Sequence, residues 1–179
     1  MRNKIFLGIT KKLSDQLKIK KLNNIDIYSP TVRMWHAGFK YINRKKCILF
    51  TNDLTLYSFF LYGVKKKELE NLEQIFLEEL IENLEYEEFK KDEIDKIIKE
   101  KDNIEFIKTN NRSVIGSMND YFRLIPYYIE ERIDKFIEYD GQINLIKLNS
   151  QLNRTPMQCS KKGFFPIDKL REVVEYKEN

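Results

Sequence analysis

The stretch "MWHAGFKYINRKKCILFTNDLTLYSFFLYG", residues 34–63, decides the fold. It is dense in aromatic and β-branched residues, which fit a pleated, half-buried backbone. Three strands are read from it: "MWHAGFKYI" (34–42), "KCILFTN" (46–52) and "LTLYSFFLYG" (54–63). "NRKK" between the first two is expected to form a four-residue hairpin loop, and "ND" at 52–53 a tight turn. Both faces of these strands are largely apolar, so helices should cover the sheet on at least one side.

Toward the N-terminus, "NKIFLGIT" (3–10) reads as another strand. Thr10 is placed to cap a short helix through Leu17, with Leu13 and Leu17 on one face. Residues 20–30 read as a loop closed by Pro30. In the other direction, Leu69, Leu72, Phe76, Leu80 and Leu84 recur every three or four residues and predict a helix over 65–88. Lys65, Lys66 and Lys67 oppose its dipole and are assigned to the preceding turn. A second helix is expected from Asp92, as N-cap, through Lys101, and "NIEFIKT" (103–109) returns to strand.

In "TNNRSVIGSMND" (109–120), Ser113 is expected to cap a helix running to about residue 133. Its inward face is Ile115, Met118, Phe122, Ile125 and Ile129, with a kink at Pro126. Gly116 is expected to let this helix approach the sheet closely. "INLIKL" (143–148) reads as a strand, residues 149–164 as a polar loop, and Pro166 as the first turn of a last helix through about Tyr176. The expected fold is α+β: one compact domain over 1–179, with a mixed, mostly antiparallel sheet and helices packed on it.

Hydrophobic residues at 42% and aromatics at 13% predict a folded core despite 34% charged residues. No apolar run approaches a membrane span, and the run in "MRNKIFLGITKK" is too short for a signal peptide's core, so no membrane association is expected. With only Cys47 and Cys159, a disulfide framework is excluded and a reduced, cytoplasmic setting is expected. One alanine against 22 isoleucines, 24 lysines and 15 asparagines points to an AT-rich coding genome. Charge is uneven: residues 1–50 carry a net +10 and residues 65–102 a net −6, which would give an anion-binding face beside an acidic helix pair.

Little in the sequence asks for catalysis. A single histidine, His36, and two distant cysteines supply no zinc spacing, and no metal or cofactor is expected. His36 inside a strand reads as a hydrogen-bonded structural residue, and nothing brings Cys159 to it as a nucleophile. Asp53, Glu105 and Asp120 could together hold magnesium for a nuclease, yet each suits a turn, a strand edge or a helix surface equally well. No phosphate-binding glycine motif is present. Lys40, Arg44, Lys45 and Lys46 lie with Trp35, Phe39 and Tyr41 in a basic, aromatic hairpin suited to backbone neutralisation and base stacking. Alternation puts Phe39 and Tyr41 on the face opposite Lys40.

"KKLSDQL" (11–17), "WHA" (35–37), "NRKKCILFTNDLTLYSF" (43–59), "NRSVIGSMND" (111–120), "LNRTPM" (152–157) and "FFPIDKLRE" (164–172) together resemble a bacterial family known as a domain of unknown function. The resemblance implies one compact domain and no established activity. It singles out His36, Asn52, Asp53, Arg112, Ser113, Asn119, Asp120, Asn153 and Arg154 as residues that would converge if a shared pocket exists. Turn and cap roles explain the same residues. The expected function is a non-enzymatic binding or regulatory protein that docks on a protein or ribonucleoprotein. One concrete version is an inhibitor of a nucleic-acid-handling machine, such as an RNA-guided nuclease, in phage–host or plasmid conflict. Direct nucleic-acid binding, and a hydrolase or nuclease using Asp53, Asp120, Arg112 and His36, are the alternatives.

Overall fold

The computed structural model describes residues 4–24, 31–98, 103–109, 111–130, 133–138, 142–157 and 163–175. Five strands form one mixed sheet: β1 (Lys4–Ile9), β2 (Met34–Ile42), β3 (Lys45–Asn52), β4 (Ser58–Tyr62) and β5 (Asn103–Lys108), in the order β4-β3-β2-β1-β5. The hairpins make the β2–β3 and β3–β4 pairs antiparallel, whereas β1 pairs in parallel with both β2 and β5. The sheet is therefore mixed, with parallel and antiparallel ladders in equal number.

Side-chain alternation divides the core into two layers. On one face Trp35, Ala37 and Phe39 of β2 join Ile48 and Phe50 of β3 and Phe59 of β4. This Trp35 face is covered by α1 (Lys11–Leu17), α2 (Lys66–Glu70), α3 (Leu72–Tyr86), α4 (Lys91–Ile97) and α8 (Pro166–Glu175). Its centre is aromatic: Trp35 meets Phe76 edge-on at 5.5 Å and Phe59 at 5.9 Å, and Phe50 stacks on Phe59 at 4.7 Å. On the opposite, His36 face, Ile42, Cys47, Leu49 and Phe60 pack beneath α5 (Arg112–Glu130), α6 (Ile133–Phe136) and α7 (Leu145–Asn153). Helices thus cover both faces.

Several local expectations are corrected. The helix expected over 65–88 is broken at Asn71 into α2 and α3, and Lys66 and Lys67 lie inside α2, not in the preceding turn. Glu68 offsets their charge by accepting the Lys65 backbone N–H. The α4 cap is Lys90, whose N–H is bound by Glu93 at 2.7 Å, with Asp92 in the first turn. Asn111, not Ser113, caps α5: its Oδ1 accepts the N–H groups of Ser113 and Val114 at 3.1 and 3.3 Å. Pro126 lies inside that helix, as expected. The close approach to the sheet comes from Gly38, where a Cβ would sit 2.9 Å from Met118 Cε, while Gly116 faces outward.

The β2–β3 connection is a two-residue turn at Asn43 and Arg44, both at positive φ (49° and 62°), so Lys45 and Lys46 belong to β3. The strand expected to begin at Leu54 begins at Ser58, because Asn52 Oδ1 holds residues 54 and 55 in a turn. Cys159 and most of the 158–163 loop lie outside the described residues, as do residues 25–30, 99–102 and Tyr176.

The largest correction is at 143–148, expected as a strand. Asn144 caps a helix there by accepting the Lys147 N–H at 2.9 Å, and α7 runs to Asn153. Leu148 and Leu152 face the core, and Asn149 and Asn153, one turn apart, face the open edge of β4. Asn153 accepts the Ser58 N–H and donates to the Ser58 carbonyl, both at 2.7 Å. Asn149 does the same for Phe60, at 2.8 and 3.4 Å. Each amide completes the backbone pairs that a sixth strand would otherwise supply, which removes a sticky edge.

Asn153→Ala strands both Ser58 groups in a dry site and should cost about 2–4 kcal/mol in urea unfolding. Arg44→Gly should stabilise by about 0.5–1 kcal/mol, because a side chain at positive φ is strained in this turn. A lower thermal midpoint for Arg44→Gly would refute the strain account.

Candidate functional site

His36 is fully buried on β2, and the residue paired with it on β1 is Gly8. A Cβ at Gly8 would lie 2.8 Å from His36 Nδ1, so only glycine leaves room for the ring. Asp53 follows the last residue of β3 and is held against β2 by its own N–H, which donates to the Met34 carbonyl at 2.9 Å. Its side chain, 7% exposed, accepts the His36 Nε2–H at 2.8 Å and the Asn111 Nδ2–H at 2.9 Å, both on Oδ1. In this bond Nε2 carries the proton, and Nδ1 is without a hydrogen-bond partner among the described residues. The chain His36–Asp53–Asn111 ties β2, β3 and the start of α5 together, with the carboxylate at the positive end of the α5 dipole.

Asn52 sits beside this chain but serves the backbone. Its Nδ2 donates to the carbonyls of Val32 and Met34 at 3.0 and 3.1 Å, and its Oδ1 accepts the N–H groups of Leu54 and Thr55 and the Thr55 hydroxyl. Thr51 and Ser58 add a buried hydroxyl pair at 2.9 Å.

Asn153 and Arg154 form a separate group at the end of α7. Arg154 forks onto Glu87 with two bonds of 2.7 Å, and the Glu87 side chain is only 3% exposed. This hydrogen-bonded charge pair pushes the Arg154 guanidinium above its ordinary pKa. Arg171 of α8 donates to the Glu87 carbonyl and lies over the Phe89 ring at 4.6 Å. Tyr57 is buried near these charges, and burial raises its hydroxyl pKa strongly. Burial likewise raises the Cys47 thiol, and Glu79 on α3 is raised by burial and then by the Glu82, Glu68 and Glu78 charges.

Arg112, Asn119 and Asp120 join neither group. All three are exposed on α5, and Asp120 faces Arg123 at 3.4 Å on the helix surface. The nine family-like polar residues therefore do not converge on one pocket: two lie in the His36 chain, one supports the adjacent turn, two lie at α7 and four face outward. Ser113 is the fourth of these exposed residues. The carboxylates weighed as magnesium ligands also part company, since Glu105 pairs with Lys4 at 2.9 Å on the sheet edge. Among the described residues, no group of three or more His, Cys, Asp or Glu side chains could hold a metal ion. Sequence reasoning overlooked Glu87 and Asn149, whose roles depend on partners 67 and 89 residues away.

The basic hairpin is arranged differently from expectation. Lys40 and Lys45 lie on the His36 face, over Phe122 at 5.8 Å and Tyr62 at 4.8 Å. Lys46 lies directly across from Tyr41 on the Trp35 face. A cation and an aromatic do share that surface: Tyr41 is 54% exposed and packs edge-on against Phe39 at 5.1 Å. Lys46 also borders an open groove of about 1040 Å³ between α1 and the α2–α3 break. Leu17, Leu69 and Leu77 line this groove, together with Lys18 and Lys66. Asp15, Glu70 and Glu73 border it too.

Asp53→Ala removes the acceptor for two donors, one of them on a fully buried ring. Its unfolding free energy should fall by about 2–4 kcal/mol, read from urea titration. A loss under about 0.5 kcal/mol would show that the chain does not carry the α5 junction.

No curated protein and no solved structure matches the chain. Residues 6–169 match the family model described as Domain of unknown function (DUF6933), so the match takes in the His36 chain, the hairpin, α5 and α7. The chain belongs to that family.

Proposed function

We propose that the chain is a non-enzymatic binding protein that docks on a macromolecular partner through the end of the β2–β3 hairpin and the adjoining groove. The observation that carries this reading is the pairing of exposed Tyr41 with Lys46 on one face, continuous through Lys46 with the groove. An exposed tyrosine presents a large contact area at small entropic cost, and flanking lysines steer an anionic surface toward it. Apolar groove walls bordered by both lysines and carboxylates suit a polypeptide better than a bare phosphate chain. A nucleic-acid-handling machine presents protein and phosphate side by side and is one class of partner that fits both features.

The polar residues that could have served catalysis are held in folding contacts or scattered over the surface. Asp53 and His36 are buried against each other, and Arg112 and Asp120 point to solvent from α5. Direct nucleic-acid binding is the second reading, favoured by the same Tyr41–Lys46 face.

Capture from the native host with the tagged chain tests the first reading. The wild type should retain a defined protein partner after nuclease digestion, and Tyr41→Ala/Lys46→Glu should lower its recovery at least about tenfold. Equal recovery by wild type and variant refutes the hairpin as the docking surface. For the second reading, anisotropy of a labelled single-stranded oligonucleotide should show affinity falling steeply with salt. No titration at low salt removes it.

A further inference from the structure

The exposed residues of α5 form a single stripe. Arg112, Ser113, Gly116, Asn119, Asp120, Arg123, Tyr127 and Glu130 all face solvent. At about 100° per residue they fall within roughly 60° either side of Gly116. Among the described residues nothing lies within 4 Å of where a Gly116 Cβ would be, and its φ is not positive, so neither their packing nor the backbone geometry requires glycine there. Glycine in a helix interior is nevertheless unfavourable relative to alanine. Its missing side chain leaves helix backbone open to close approach from outside.

The charges around it have a specific symmetry. Arg112 lies four residues before Gly116 and Asp120 four residues after, while Ser113 and Asn119 lie three before and three after. Two copies crossing at Gly116 with their axes about 50° from antiparallel lay the i±4 row Arg112–Gly116–Asp120 of one helix over the same row of the other, running in the opposite direction. Arg112 of each then meets Asp120 of its mate, so the row is complementary to itself. That is the requirement of a two-fold interface. Arg112 has no hydrogen bond or ion pair among the described residues, and the Asp120–Arg123 contact of 3.4 Å is exposed and leaves Asp120 open to a second partner.

We propose that α5 is a self-association surface, with two copies of the chain crossing at Gly116 along this row and exchanging Arg112–Asp120 ion pairs. The interface lies on the His36 side of the sheet and stands independently of the hairpin docking surface. The occupant is a second copy because the row carries its own complement, with Arg112 and Asp120 at equal distances on either side of Gly116.

Sedimentation of the full chain over a range of concentrations tests the proposal. The wild type should shift from monomer to dimer, and Gly116→Gln should weaken the dimer at least tenfold without lowering the thermal midpoint. Arg112→Asp and Asp120→Arg should each weaken it by a similar factor, and the double variant carrying both should recover most of the loss. A wild type that stays monomeric at its highest soluble concentration overturns the proposal. So does a dimer indifferent to Gly116→Gln, or charge reversals that the double variant fails to rescue.

Discussion

A carboxylate taken out of water must find donors or become neutral, and Asp53 finds two on different elements. His36 presents Nε2–H from the centre of the sheet, and Asn111 presents its amide from the chain entering α5. Because one oxygen takes both, α5 can begin at only one place relative to β2. From that start its inward face meets Gly38, where Met118 and Phe122 fill the space a side chain would have taken. Once α5 is seated, the apolar layer shared by Phe122, Leu148 and Leu152 exists, and α7 has something to pack against. The placement of α7 then closes the edge of β4. A single carboxyl group thus stands upstream of half the core.

Asparagine recurs along this route for a chemical reason. Its side-chain amide is a peptide group on a short stem, able to donate and accept at once. Asn52 stands in for backbone at the β3–β4 turn, Asn111 at the head of α5, Asn144 at the head of α7, and Asn149 and Asn153 beside β4. An AT-rich composition supplies asparagine freely, and here the residue closes turns, caps and one sheet edge. A lysine side chain could do none of these, since it lacks an acceptor. The cost is that each such amide is locked in place and unavailable to a ligand.

The sheet and the long helices were legible because their signals are local. β2 falls where its aromatic and β-branched residues predict, and α3 and α5 follow their apolar period. Two of the failures share one property: a deciding partner is distant in sequence. "INLIKL" alternates like a strand, yet Asn144 within it caps a helix whose asparagines are drawn to Ser58 and Phe60. Ser113 looked like the cap because it precedes the apolar period, but Asn111 also serves Asp53, and that second bond selects it. The hairpin was misjudged for a different reason, since its partners are only five residues apart. Alternation correctly separated Tyr41 from Lys40, but only the cross-strand register reveals that Lys46 lies opposite Tyr41.

The polar residues singled out from the sequence now divide by what holds them. His36, Asn52 and Asn153 are buried, the Asp53 side chain is only 7% exposed, and Arg154 is tied to a buried carboxylate, so altering any of them removes part of the fold before it alters any surface. Loss of function in such variants would therefore say little about binding. Arg112, Asn119 and Asp120 are different, because α5 would keep its inward face and its cap if they were changed. They stand in an outward stripe beside Gly116, a residue that costs helix propensity and that no described side chain packs against. Contact from a second copy, as proposed for α5, would use the helix backbone that this glycine leaves open.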